Sequence, residues 1–151
     1  MKMTFDAKVD NLNKVLAFID EQLEAKSCPM RAMLEIDVAV EEIFVNVASY
    51  AYESGIGSVA IETSFEEDPL AVVIRFVDSG MPYNPLERED PDITLPAEKR
   101  SIGGLGVFMV KKSMDDVSYE YKDGQNHLTI RKFLDRKHLP FLKTVKEKKK
   151  C

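Results

Sequence analysis

Three short constellations in this chain carry residue types that could handle a phosphorylated ligand. Glu42 and Asn46 stand four residues apart, which on a helix places them one above the other on a single face. The amide oxygen can ligate a hard cation, and the carboxylate can accept a proton or position water. The pair therefore suits a magnesium–phosphate site, although the same spacing also occurs on ordinary solvent-facing helix surfaces. Asp78-Ser79-Gly80 follows an apolar run. A carboxylate at a strand end can accept a hydrogen bond from an exocyclic amine such as that of adenine, and a glycine lets a ring approach the backbone. The plain alternative is an Asp–Ser–Gly turn. Gly103-Gly104-Leu105-Gly106 opens a helical pattern. Glycines there bring backbone N–H groups close to phosphate oxygens at the positive end of the helix dipole. The segment matches neither the GxxxxGK[ST] loop nor a strand-linked GxGxxG, and a glycine-rich hinge is its plain alternative.

The elements that must position these residues follow from periodicity. Residues 2–5 suit a short strand. Val9, Leu12, Val15, Leu16, Ile19 and Leu23 recur at helical spacing, predicting a helix over 8–26 with Asp6 as its cap and Ser27-Cys28-Pro29 as its stop. A second helix is predicted over 30–53, with Met33, Ile36, Val40, Ile43, Phe44 and Val47 on one face. Eight of the twelve residues from 36 to 47 are apolar, so this helix should be buried, and polar Glu42 and Asn46 stand out within it. Val59, Ile61, Thr63 and Phe65 alternate as a half-buried strand, and 70–77 reads as a central strand ending at Asp78. Residues 79–103 show no period and hold four of the seven prolines. With glycines at both ends, they read as a lid. A helix is predicted over 105–115. Two strands then follow around an Asp123-Gly124 hairpin turn, with Leu128, Ile130 and Lys132 alternating on the second.

Composition narrows the classes. With 151 residues the chain makes one domain; we take 1–135 as that domain and 136–151 as a basic tail. The net charge is −5, which argues against wholesale nucleic-acid binding. Residues 143–150 carry five lysines against one glutamate, a run best read as a solvated terminus. Apolar runs fall short of the ~18–20 residues of a membrane span, and the first residues lack the apolar stretch of a signal peptide. Cys28 and Cys151 are the only cysteines, which excludes a disulfide scaffold and a four-thiolate zinc site and points to a reducing cytoplasm.

Taken together and in order, the motifs resemble a known family. Glu41-Glu42-Ile43-Phe44-Val45-Asn46, Asp78-Ser79-Gly80-Met81-Pro82-Tyr83-Asn84-Pro85-Leu86, Gly103-Gly104-Leu105-Gly106-Val107-Phe108-Met109-Val110-Lys111 and Leu128-Thr129-Ile130 look like the ATP-binding domain of the GHKL superfamily. Within it, the chain is most similar to the bacterial anti-sigma factor serine/threonine kinases, over roughly residues 5–134. The resemblance implies a two-layer α/β sandwich, with helices on one face of a mixed, mostly antiparallel sheet. It implies ATP and Mg2+ as cofactors and a small anti-sigma antagonist protein as the phosphorylated substrate. It also implies a sigma factor as the regulated partner and a homodimer.

Residue by residue, the resemblance makes Glu42 the general base and Asn46 the magnesium ligand. Asp78 would take the adenine amine, with Gly80 beneath the ring and Thr129 near it through water. Gly103, Gly104 and Gly106 would line the phosphates, Leu105 and Val107 would add backbone, and Arg100 would reach the γ-phosphate. Two positions depart from many relatives. Pro82 replaces a second glycine, and Tyr50 stands where a cationic side chain often lies four residues after the asparagine. Tyr50 favours a second reading, an ATP-gated binding module that sequesters a partner without phosphotransfer. A detached histidine-kinase domain fits less well, because His127 and His138 fall in a strand and a tail rather than on a dimerisation helix.

Overall fold

A computed structural model describes residues 1–52, 57–87 and 104–134. Five strands form one sheet: β1 (Lys2–Asp6), β2 (Ser58–Glu66), β3 (Ala71–Asp78), β4 (Asp116–Lys122) and β5 (Gln125–Phe133), in the order β1-β2-β3-β5-β4. Every neighbouring pair is antiparallel, so the expectation of a mixed sheet is corrected. The local reason is connection length: β2–β3 and β4–β5 are hairpins, which can only pair antiparallel. Between β4 and β5, Asp123 and Gly124 both take positive φ, at 53° and 75°, as a two-residue hairpin turn of this hand requires.

Three helices, α1 (Leu12–Ala25), α2 (Met30–Asn46) and α3 (Gly104–Ser113), cover one face of the sheet. Val15, Ile19 and Leu23 of α1 and Ile36, Val40 and Phe44 of α2 share one core with Val59 and Ile61 of β2 and Val72, Ile74 and Phe76 of β3. Strand periodicity sets what else points there. On β3, Asp78 has the parity of Ile74 and Phe76 and is buried with them. On β5, Asn126, Leu128, Ile130 and Lys132 face the helices, while His127, Thr129 and Arg131 face away. Lys132 serves the packing directly, donating to the Ser113 carbonyl at 2.6 Å where the α3 dipole is negative.

The helix boundaries differ from the periodic expectation in two places. A 3-10 turn, Val9–Asn11, precedes α1, and the Asp6 side chain does not cap it. Instead the Asp6 carbonyl accepts from Asn11 Nδ2 at 2.9 Å. At the other end of the helical pair, α2 stops at Asn46 and widens into a π-helical turn, Val47–Ala51, a form that often marks functional sites.

Between α1 and α2, Asp20 and Asp37 each bury an unpartnered Oδ1. Burial pushes the Asp37 carboxyl up to about 7, and Asp20 adds hydrogen-bonding and charge in the same direction. Burial, with both carboxylates behind it, also pushes the Cys28 thiol up to about 11, so this cysteine stays protonated and weakly nucleophilic. From its ordinary value to about 7, the folded chain holds a proton at Asp37 that the unfolded chain has lost. Stability therefore falls as pH rises through that window. Asp37→Asn is expected to raise the melting temperature above about pH 7 and flatten its pH dependence. Thermal melts across the window check this, and an unchanged slope would contradict it.

Candidate functional site

The last turns of α2, the end of β3, the start of α3 and the β4–β5 pair surround an open cleft. Glu42, Asn46 and Asp78 all line it, so the structure brings the first two constellations to one place. Val107 of α3 forms part of the wall and is buried. The floor and flanks are apolar, with Ile43, Phe76, Val110 and Leu128 among them.

At the β3 end of the cleft, Asp78 is 6 % exposed and its Oδ1 accepts from the Gly80 amide and from Asn126 Nδ2, each at 2.9 Å. Gly80 has to be a glycine for a steric reason. A Cβ there would lie 2.1 Å from the Ala51 carbonyl oxygen, a backbone atom that the Met81 N–H also binds at 2.8 Å. The π-helical turn thus delivers the Ala51 carbonyl onto the Gly80–Met81 segment. Tyr52, just beyond it, ties β2 to β3, donating to the Ser58 carbonyl at 2.6 Å and accepting from the Ser79 amide at 3.1 Å.

Sequence reasoning missed Asn126. Its Nδ2 also donates to the Met81 carbonyl at 2.9 Å, and its Oδ1 accepts from the Tyr83 amide at 3.1 Å and from the Tyr119 hydroxyl. Burial holds the Tyr119 hydroxyl above its ordinary pKa. A backbone bond from Tyr83 pulls the other way, and the Asp78 charge adds to the rise. Tyr119 is therefore a hydroxyl donor throughout the neutral range. The available signal was parity: Asn126 shares its face with apolar Leu128 and Ile130. Thr129 is corrected by the same parity. It lies on the opposite face, in a shallow polar depression with Arg75, Ser118 and His127, and does not reach the cleft.

At the α3 end, the Glu42 carboxylate lies over Gly106. A Cβ on Gly106 would sit 1.9 Å from Glu42 Oε1 and 2.1 Å from its Cδ, so the glycine makes room for the carboxylate beside the first turn of α3. Gly104 and Leu105 belong to that turn, whose free N–H groups suit an anion. Tyr50 stands at the rim, 67 % exposed. Arg100, Gly103 and most of the proline-rich stretch, like the lysine-rich tail, lie outside the described residues.

These residues fit an adenine nucleotide with magnesium. Both described bonds to Asp78 fall on Oδ1, which leaves Oδ2 as an acceptor for an exocyclic amine. Among the described residues no group of three or more His, Cys, Asp or Glu side chains could hold a metal ion. The Asn46 amide oxygen is the group in the cleft that could hold magnesium, a hard cation that takes oxygen ligands. No helix among the described residues is long and apolar enough to cross a membrane.

Comparison with known proteins agrees with this geometry. The chain is 26% identical over 107 residues to the serine-protein kinase RsbW of Bacillus cereus, covering 70% of this chain and 66% of that protein. It is 26% identical over 100 residues to the serine/threonine-protein kinase BtrW of Bordetella bronchiseptica, covering 66% and 70%. The chain thus spans just under two thirds of the length of the RsbW relative. Among solved structures, the RsbU and RsbW domains of a Mycobacterium tuberculosis protein superpose with a TM-score of 0.61 at 17% identity, covering 90% of this chain and 33% of that one. The SiaB–SiaC complex of Pseudomonas aeruginosa superposes at 0.51 and 13% identity, over 86% and 88%. Both share the fold. The histidine kinase-like ATPase domain family matches residues 5–132, a span that takes in α1, α2, α3, β2, β3, β4, nearly all of β5 and the residues that line the cleft, and the chain belongs to that family.

Proposed function

We propose that this chain is an ATP-dependent serine/threonine protein kinase that phosphorylates a small antagonist protein and, through it, governs release of a sigma factor. The observation that carries the reading is the convergence of Glu42, Asn46 and Asp78 on one cleft beside the glycine-rich start of α3. The kinase names of the RsbW and BtrW relatives support it. The SiaB–SiaC complex, a fold neighbour, supports a protein partner. We further propose a cytoplasmic homodimer in which 1–135 is the kinase domain and 136–151 a basic tail.

ATP with Mg2+ would supply the γ-phosphoryl group and offset its charge. Asp78 Oδ2 accepts from the exocyclic amine of the base, and Gly80 keeps the backbone low beneath the ring. Asn46 would hold the cation through its amide oxygen. The backbone N–H groups of Gly104, Leu105, Gly106 and Val107 would hold the phosphates, and the resemblance assigns the same task to Gly103 and the γ-phosphate to Arg100. Glu42 takes the proton from the incoming serine hydroxyl as general base.

One observation favours a second reading. Exposed Tyr50 at the rim is a phenol, not a cation. A sequestering module gated by ATP needs binding without transfer, and this site would still bind.

ATP with Mg2+ is expected to raise the melting temperature, because a ligand that binds only the folded state stabilises it by mass action. Asn46→Ala is expected to lose the magnesium-dependent part of the rise. A parent protein whose melting point ignores ATP and Mg2+ would overturn both readings.

A further inference from the structure

Asn126 is an unusual cleft residue because its side chain has nothing left to offer a ligand. A primary amide has two donors and two principal acceptor sites. Here the donors go to Asp78 Oδ1 and the Met81 carbonyl, each at 2.9 Å. The acceptor sites take the Tyr83 amide at 3.1 Å and the Tyr119 hydroxyl. The orientation of the amide is therefore determined: turning it over would set a carbonyl oxygen against a carboxylate and a second carbonyl, and an NH2 against the Tyr83 N–H. The side chain is 6 % exposed, where each of those mismatches is costly.

The two groups it joins have different tasks. Asp78 lies at the end of β3 and meets the base. Met81 and Tyr83 belong to the segment that follows β3. Register places Asn126 directly opposite Asp78, so the amide donates to one carboxylate oxygen and leaves the other for the cleft. An oxygen left free in this way offers the ligand an acceptor. It favours a 6-amino purine and repels a 6-oxo purine, whose oxygen would face it.

We propose that Asn126 is the positioning residue for base selection, holding Asp78 with one oxygen aimed at the ligand, and that Tyr119 holds the Asn126 amide oxygen in place. This rests on the adenine-nucleotide reading above and goes beyond it by naming what enforces the choice of base. The mechanism makes a distinctive forecast. Asn126→Asp sets two carboxylates together in a buried site, and such a pair shares a proton. The cleft can then present an O–H donor as well as an acceptor. Asn126→Leu withdraws the donor without adding charge, so that Asn126 no longer holds Oδ1 and Asp78 is free to turn.

The test is the affinity of the full chain for ATP and for inosine triphosphate, with Mg2+, by calorimetric titration of parent, Asn126→Asp, Asn126→Leu and Tyr119→Phe. Melting without ligand reports folding. The parent is expected to prefer ATP. Both Asn126 variants are expected to lose about 10- to 100-fold in ATP affinity, the scale of a charged hydrogen bond left unmade. They should bind inosine triphosphate as well as or better than the parent does, so that the preference collapses. Tyr119→Phe should narrow it several-fold, about one neutral hydrogen bond. A folded Asn126 variant that weakens both nucleotides equally, keeping the parent's preference, would overturn the proposal by reducing Asn126 to a packing residue. If neither Asn126 variant folds, Tyr119→Phe decides: an unchanged preference overturns it. A parent that binds neither nucleotide overturns the underlying adenine reading, a result distinct from the other two.

Discussion

Glu42→Gln is expected to lower phosphotransfer by ~10²–10⁴-fold, the usual contribution of a positioned general base, while leaving nucleotide binding close to that of the parent. The separation follows from where the carboxylate sits. It packs over Gly106 beside the first turn of α3, and glutamine has the same shape, so the contact and the cleft wall survive. What is lost is the capacity to take a proton as the hydroxyl attacks. Initial rates of labelled phosphate transfer, set beside a calorimetric titration with ATP, check both halves. Undiminished transfer by Glu42→Gln would remove Glu42 as the base.

Asp78→Asn is expected to weaken adenine nucleotides by roughly 1–3 kcal/mol. The hydrogen bonds around it specify how. Oδ1 must remain an oxygen, because it accepts from the Gly80 amide and from Asn126 Nδ2. The new NH2 is thereby driven to the position that faces the cleft, where it opposes the exocyclic amine donor against donor. Calorimetry with ATP measures the loss, and an affinity equal to the parent's would contradict the placement of the base.

How much of this was legible in the residues depends on the range of the signal. Glu42 and Asn46 declare themselves through a spacing of four, and Asp78 through an apolar run that stops at a carboxylate. Both signals are local, and all three residues line the cleft. The five strands and three helices were readable within a few residues for the same reason. The π-helical turn after Asn46 was not, since one extra residue in a turn leaves no mark in composition; yet it delivers the Ala51 carbonyl that makes Gly80 obligatory. Thr129 was placed by resemblance and lies on the wrong face of β5. The alternation of Leu128 and Ile130 with their polar neighbours already put residue 126, not 129, toward the helices. The network around Asn126 joins positions up to 48 apart, which no periodicity along the chain can reveal. The sheet was expected to be mixed because the resemblance, not hairpin spacing, set its direction.

Transfer of labelled γ-phosphate from ATP to a co-encoded antagonist protein tests the central claim most directly. The account predicts that the parent chain places phosphate on a serine or threonine of that protein in a reaction that needs Mg2+ and is lost with Glu42→Gln. Tight ATP-dependent binding of the same protein with no phosphate transferred would contradict it and leave a sequestering module in the kinase's place.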